Sequence, residues 1–306
     1  YNPGESTTIK TRVFGVQLRV RDMKGGVLSP ETYKKMEVEI TWPDGVKTIH
    51  TVSKKGVVRI NMNCTTWMNW KEYPEVKKAK DCESRRNPAS PYAVSQVPEG
   101  EYIARVFLVY DGVRERIAEE RFRVEGGKTE GGATVTVEPI VLTTIAPELT
   151  IVVQTPFGTP MVGATITVER VILGDVNTVV GAEGKVTIKE VPFAAEKGVK
   201  VTVHEWRGMK VEFTKDKVTL DNNIVVVDKI GKLIVKVVGQ RGQGLAGAEV
   251  VIEGTPIKGT TAADGTFADE LPAGSYTVKV SYGGKEKTAT ASVTGGQVTE
   301  VVVELP

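Results

Sequence analysis

Apolar side chains recur at alternate positions through much of this chain. Val16-Gln-Leu18-Arg-Val20, Leu149-Thr-Ile151-Val-Val153 and Leu233-Ile-Val235-Lys-Val237 each set a row of aliphatic groups on one face, the period of a half-buried strand. The last two runs open copies of one longer pattern. Each is followed by a polar, Gly-containing turn and a second strand, Gly163-Ala164-Thr-Ile166-Thr-Val168 in one copy and Gly247-Ala248-Glu-Val250-Val-Ile252 in the other. In both copies that Gly lies 14 residues after the first Leu. A tight turn then leads to a third strand, as Ala182-Glu-Gly184-Lys-Val186 and Ala263-Asp-Gly265-Thr-Phe267, with Gly supplying the positive φ. Val191-Pro192 and Leu271-Pro272 precede strands at Val199 to Val203 and Tyr276 to Val280. Val-rich strands at Ile224 to Val227 and Val301 to Leu305 close the copies.

The N-terminal third carries the same order in stretched form. Met36-Glu-Val38-Glu-Ile40 follows the opening strand after a longer loop, and Gly56-Val-Val58 supplies the turn. Val97-Pro98-Glu-Gly100-Glu-Tyr102 mirrors Leu271-Pro272-Ala-Gly274-Ser-Tyr276. The repeats are thus an arm at 1–12, a sandwich over 13–146 that carries an insertion at 59–96, a second sandwich over 147–230 and a third over 231–306. Closely spaced strands, turn residues between them and no long helical period describe antiparallel β-sandwiches, an all-β chain. The segments Thr143 to Glu148 and Asp228 to Lys232 read as short linkers with little slack, which would hold the repeats in a stiff rod.

Gly244-Leu-Ala-Gly247-Ala248-Glu-Val250, Asp264-Gly265-Thr-Phe267 and Leu271-Pro272-Ala-Gly274-Ser-Tyr276 resemble the carboxypeptidase-regulatory-like and Cna B-type families of transthyretin-like, Ig-like sandwiches. The resemblance is close over the third repeat, fair over the second and loose over the first. It implies three tandem sandwiches in a rod, of the kind used as stalks, adhesive units or structural units of prokaryotic surface proteins, or as accessory domains of secreted enzymes. Some Cna B-type relatives carry a Lys-Asn crosslink. Here the third repeat has no Asn, and the opening strand of the second, Leu149 to Val153, has no Lys, so none is expected.

The first repeat differs from the others by an arm and an insertion. The arm alternates through Thr7, Ile9, Thr11 and Val13, after which the apolar phase slips by one residue and resumes at Phe14 and Val16. A one-residue slip turns every side chain over, so arm and strand are not expected to be one uninterrupted element of a sheet. A Thr-rich, β-capable extension can add itself to the open sheet edge of a neighbour as a donor strand, or stay with its own domain. The insertion holds Trp67, Trp70 and Tyr73, the residue types that anchor protein or sugar contacts, and a stretch from about Lys71 to Ser84 with helical character. A flap that covers its own sandwich accounts for the same aromatics. Cys64 and Cys82 are a disulfide candidate in an oxidising compartment, and Asn63-Cys64-Thr65 fits a glycosylation sequon.

Composition sharpens this picture. Valine makes up about one residue in six, as suits a chain of strands. The 40 Lys and Arg against 38 Asp and Glu give a net charge of +2, not the one-signed field that grips nucleic acid. No apolar run reaches the ~18 residues a spanning helix needs. The first residue is Tyr1, as in an exported protein whose leader has been removed and equally as in an excised segment.

Catalytic constellations are missing from the sequence. His50 and His204 lie in different repeats, each within strand-like text, and read as solvent-facing or partner-satisfied. The adjacent pairs Glu119-Glu120 and Asp269-Glu270 would point to opposite faces of a strand, so neither is a natural acid/base couple. Gly239-Gln-Arg-Gly242-Gln-Gly244 reads as a turn and not a nucleotide loop. No cofactor is expected. Calcium is the one ion in view, at the loop-like Gly174-Asp175-Val-Asn177. The chain therefore reads as a non-catalytic subunit of an extracellular filament, sheath or surface layer, with copies of itself as partners. An adhesin or carbohydrate-binding stalk, meeting a glycan or cell-surface ligand through the insertion, is the alternative. The accessory region of a secreted enzyme is the third.

Overall fold

A computed structural model describes residues 13–43, 45–60, 99–125 and 133–306. The chain divides into two compact units, Tyr1–Pro147 and Glu148–Pro306.

In the first unit the described strands are β1 (Val13–Arg21), β2 (Met36–Thr41), β3 (Lys47–Thr51), β4 (Val57–Ile60), β5 (Gly100–Tyr110), β6 (Val113–Val124), β7 (Ala133–Thr136) and β8 (Ile140–Val141). They form one sheet of order β4-β1-β7, with β8 also on β1, and another of order β3-β2-β5-β6. Alternation does what the sequence implies. Leu18, Val20, Val38, Ile40, Ala104 and Val106 are buried, with polar neighbours between them turned outward. Tyr102 stacks on Phe122, ring centroids 5.2 Å apart, and meets Trp42 at 5.5 Å. The pairing of β1 with β7 is irregular between Val13 and Gly15, where the hydrophobic phase of the sequence slips. One short helix, α1 (Pro30–Lys34), was not foreseen. Its signals are local: Ser29 caps it by accepting from the Thr32 N–H, and Pro30 starts it.

The remaining strands are β9 (Ile145–Gln154), β10 (Thr165–Arg170), β11 (Gly174–Val179), β12 (Lys185–Pro192), β13 (Val199–Trp206), β14 (Met209–Val218) and β15 (Ile224–Val226), then β16 (Ile230–Val238), β17 (Glu249–Ile252), β18 (Lys258–Thr260), β19 (Thr266–Pro272), β20 (Gly274–Tyr282), β21 (Lys285–Val293) and β22 (Val298–Glu304). Their sheets run β12-β9-β15 and β11-β10-β13-β14, then β19-β16-β22 and β18-β17-β20-β21. The segments read as linkers are shorter than expected, since β9 already begins at Ile145 and β16 at Ile230.

The described sheets therefore make three sandwich-like units of one design. In each, the opening strand is central to its sheet and pairs in parallel with the closing strand: β1 with β7 and β8, β9 with β15, β16 with β22. A parallel partner cannot be reached by a hairpin, so the other sheet is crossed in between. The turn glycines named from sequence share a second constraint. Gly56, Gly184 and Gly265 have φ of +67°, +72° and +79°, and a Cβ on each would lie 2.8, 2.7 and 2.5 Å from the carbonyl oxygens of Val20, Val153 and Val237 in the opening strand. Backbone presses on backbone there, which leaves no room for a side chain.

The third sandwich is filled from both sheets by Leu233, Val235 and Val237 of β16, Val250 and Ile252 of β17, Val278 and Val280 of β20, and Val303 of β22. Met209, from β14 of the second sandwich, belongs to the same core cluster.

Candidate functional site

Most residues singled out in the sequence lie outside the described residues: Thr7, Ile9, Thr11, Asn63, Cys64, Trp67, Trp70, Tyr73 and Cys82, together with the helical stretch near Lys71 to Ser84. Val13 is the first residue of β1 and pairs with Ala133 of β7. The loop-like reading of the calcium candidate segment is corrected by the structure. Gly174 to Asn177 is the start of strand β11, hydrogen-bonded in register to β10, and Asn177 Oδ1 accepts a 2.7 Å bond from Thr167 Oγ1. Among the described residues no group of three or more His, Cys, Asp or Glu side chains gathers to hold a metal.

Both histidines are held by threonines. In the first unit the Trp42 indole N–H donates to Thr48 Oγ1 at 2.7 Å, and that hydroxyl lies 2.7 Å from His50 Nε2. Burial pushes the His50 pKa down to about 4, so the ring is neutral near pH 7. In the second sandwich Thr167 gives its proton to Asn177, so His204 Nε2, 2.7 Å away, must be the donor. Each imidazole thus acts as a structural bridge to a threonine of its own sandwich.

The outer face of the first unit's β3-β2-β5-β6 sheet carries interleaved charge. Arg105 Nε lies 2.8 Å from Glu119 and its Nη1 3.4 Å from Glu39, while Arg114 reaches Glu37 at 3.0 Å and Glu39 at 3.4 Å. Burial works to raise the Glu39 pKa, but Lys47 and Arg114 together hold it below the usual carboxylate range. Acids and bases neutralise one another here, leaving no one-signed surface.

The most developed polar constellation lies where the second and third sandwiches meet. A cleft of about 490 Å³ is lined by Thr159, Trp206, Arg207, Lys232, Asp269 and Glu270 among others. Its centre is the hairpin between β13 and β14. Arg207 Nη1 donates to Asp269 Oδ1 at 2.5 Å and Nη2 to Oδ2 at 2.9 Å, a two-pronged pair, while Nη1 also reaches the Glu270 carbonyl at 3.3 Å. The bond to Asp269 holds the guanidinium above its ordinary pKa, so its charge is permanent. Asp269 Oδ1 in turn accepts from the Glu270 N–H at 2.8 Å, and Thr159 Oγ1 donates to Glu270 Oε1 at 2.9 Å. Trp206 is buried, its indole N–H fixed on the Val162 carbonyl at 3.2 Å, with the Arg207 guanidinium 5.4 Å from the ring centroid.

This site was missed by sequence reasoning, which set Asp269 and Glu270 aside because neighbours on a strand point apart. They do engage different partners, Arg207 and Thr159, but the second sandwich supplies both. The available signals were an Arg in a two-residue turn before Gly208 and an acidic pair ahead of Leu271-Pro272. Chemically the site joins surfaces: Arg207 is paired with Asp269 and Thr159 with Glu270, each bond running from the second sandwich to the third.

Residues 232–306 match the family model of the carboxypeptidase regulatory-like domain, the region whose motifs resemble that family most closely. No curated protein matches the chain in sequence. Among solved structures, the chain is similar to the Bacillus anthracis TIE protein at 16% identity and a TM-score of 0.25, covering 95% of this chain and 50% of that one. It is similar to BcpA, the major pilin subunit of Bacillus cereus, at 11% identity and a TM-score of 0.25, covering 95% and 98%. A streptococcal ancillary pilin gives 12% identity and a TM-score of 0.34, with 95% and 98% covered. The superpositions are loose. The chain spans half the length of the Bacillus anthracis TIE protein. The matched family model is a regulatory-like domain and indicates no catalytic family.

Proposed function

We propose that this chain is a non-catalytic structural subunit of an extracellular filament, sheath or surface layer, secreted to the cell surface, with sandwiches over 13–146, 147–230 and 231–306. The observation that carries this reading is the joint between the second and third sandwiches. A domain that merely follows another on a tether needs no shared core and no two-pronged ion pair; here Met209 fills the neighbour's core and Arg207 is fastened to Asp269. Such a joint resists bending and suits a chain whose task is to hold a distance.

The sheet edges limit where assembly by strand addition can occur. In the third sandwich Lys287 Nζ donates to the Glu304 carbonyl at 2.9 Å and Thr299 Oγ1 to the Ser292 carbonyl at 3.1 Å, bridging β21 and β22. In the second, Lys215 Nζ donates to the Ile224 carbonyl at 2.6 Å, bridging β14 and β15 in the same way. Three backbone acceptors on these edges are thus already used, which disfavours strand addition at those points. A donor strand from the arm, with Thr7, Ile9, Thr11 and Val13 as its alternating residues, would use another edge. A Cys64–Cys82 disulfide and a glycan on Asn63 fit the same extracellular setting.

Sedimentation velocity over a wide concentration range tests the assembly. The full chain should form species larger than a monomer, and a chain lacking residues 1–12 should not; a monomer at all concentrations in both would refute the reading. The alternative of a glycan- or cell-binding stalk rests on the clustered Trp67, Trp70 and Tyr73. It requires that Trp67→Ala with Trp70→Ala abolish attachment to a surface while leaving assembly intact.

A further inference from the structure

The same two-residue hairpin turn occurs in all three sandwiches, and only one copy is costly. Asp111-Gly112 has φ of +45° and +77°, Gly283-Gly284 has +57° and +78°, and Arg207-Gly208 has +55° and +75°. Both central residues of such a turn must sit at positive φ, which Gly and Asp tolerate far better than Arg. The second sandwich thus holds a long cationic side chain on a strained backbone, at the spot that meets the third sandwich. A second unfavourable feature faces it. Glu270 is only 8% exposed, and its Oε2 is buried without a hydrogen-bond partner, a costly state for a carboxylate. Lys232 is the cross-strand neighbour of Glu270 in the β16–β19 pairing and lines the same cleft.

We propose that the β13–β14 hairpin is a two-state latch. In the closed state, the one described above, Arg207 clamps Asp269 and Met209 sits in the third sandwich's core, at the expense of the strained turn and the dry Glu270 oxygen. In the open state the hairpin withdraws, Arg207 leaves Asp269, and Glu270 becomes hydrated and pairs with Lys232. Each state has contacts the other lacks, as a switch requires. The latch deepens the structural reading, because it sets how stiffly the two sandwiches are joined, yet either can fail without the other.

Hydrogen exchange of the full-length chain, read on peptides covering residues 203–212 and 266–273, tests it. Arg207→Gly keeps the positive φ and removes the clamp, so exchange there should quicken about tenfold or more, and Asp269→Asn should act in the same direction. Glu270→Gln keeps the shape but removes the buried charge and should slow exchange by a similar factor, with peptides from the first unit unchanged in every variant. Exchange in Arg207→Gly equal to that of the parent chain would overturn the latch. So would unchanged or faster exchange in Glu270→Gln, since the carboxylate would then not oppose closure.

Discussion

Arg207 and Asp269 meet fork to fork, with Nη1 2.5 Å from Oδ1 and Nη2 2.9 Å from Oδ2, across 62 positions of sequence. Their side chains are 35% and 26% exposed, so water screens the pair less than it screens a pair on an open surface. A double-mutant cycle with Arg207→Ala and Asp269→Ala should give a coupling of about 1–2 kcal/mol in urea unfolding. The cycle for Lys185 and Glu183, which are 53% and 74% exposed, should give a coupling near zero.

Met209 is a residue of one sandwich and part of the core of the next. Met209→Ala should therefore destabilise the third sandwich by about 2–3 kcal/mol, although the change lies in β14. Fluorine-labelled Tyr276 and Tyr282, followed by NMR through a denaturant titration, would report the third sandwich directly. An effect confined to probes in the second sandwich would contradict the shared core.

Turn glycines should divide into two classes. Gly265→Ala places a Cβ 2.5 Å from the Val237 carbonyl at a φ of +79°, and should cost roughly 2 kcal/mol or more in thermal or chemical unfolding. At Gly284, φ is +78° but nothing lies within 4 Å, so Gly284→Ala should cost only the conformational strain, about 1 kcal/mol.

Acidification should weaken the first unit through His50. Its pKa is lowered to about 4 in the folded chain by burial, against about 6.5 when unfolded. The unfolded state therefore binds the proton first, and the stabilisation present above pH 6.5 is lost as the pH falls towards 4. The loss should amount to about 2–3 kcal/mol. His50→Gln should flatten the pH dependence in that window, and an NMR titration of the His50 ring should show a midpoint near 4. A midpoint near 6.5 would show that the ring is not desolvated.

The architecture was legible because one-face burial writes itself into the sequence. The row Leu233, Val235, Val237 is both the sequence pattern and the wall of the third core, and Gly265 marked its turn through the φ it needs. Helix α1 escaped notice because five residues cannot display a helical period, although Ser29-Pro30 carried its start. The joint escaped for a different reason. Asp269 and Glu270 look like any acidic pair on a strand until Arg207 and Thr159 are brought to them from another sandwich, and no local pattern encodes that approach. Gly174 to Asn177 was misjudged because Gly, Asp and Asn favour turns by propensity, whereas pairing with β10 holds them in a strand.

Electron microscopy of the natively purified full-length protein tests the central claim most directly. A structural subunit should be seen as fibres or a regular lattice with a constant repeat along the assembly. Dispersed single particles at high protein concentration, with no ordered assembly, would contradict it.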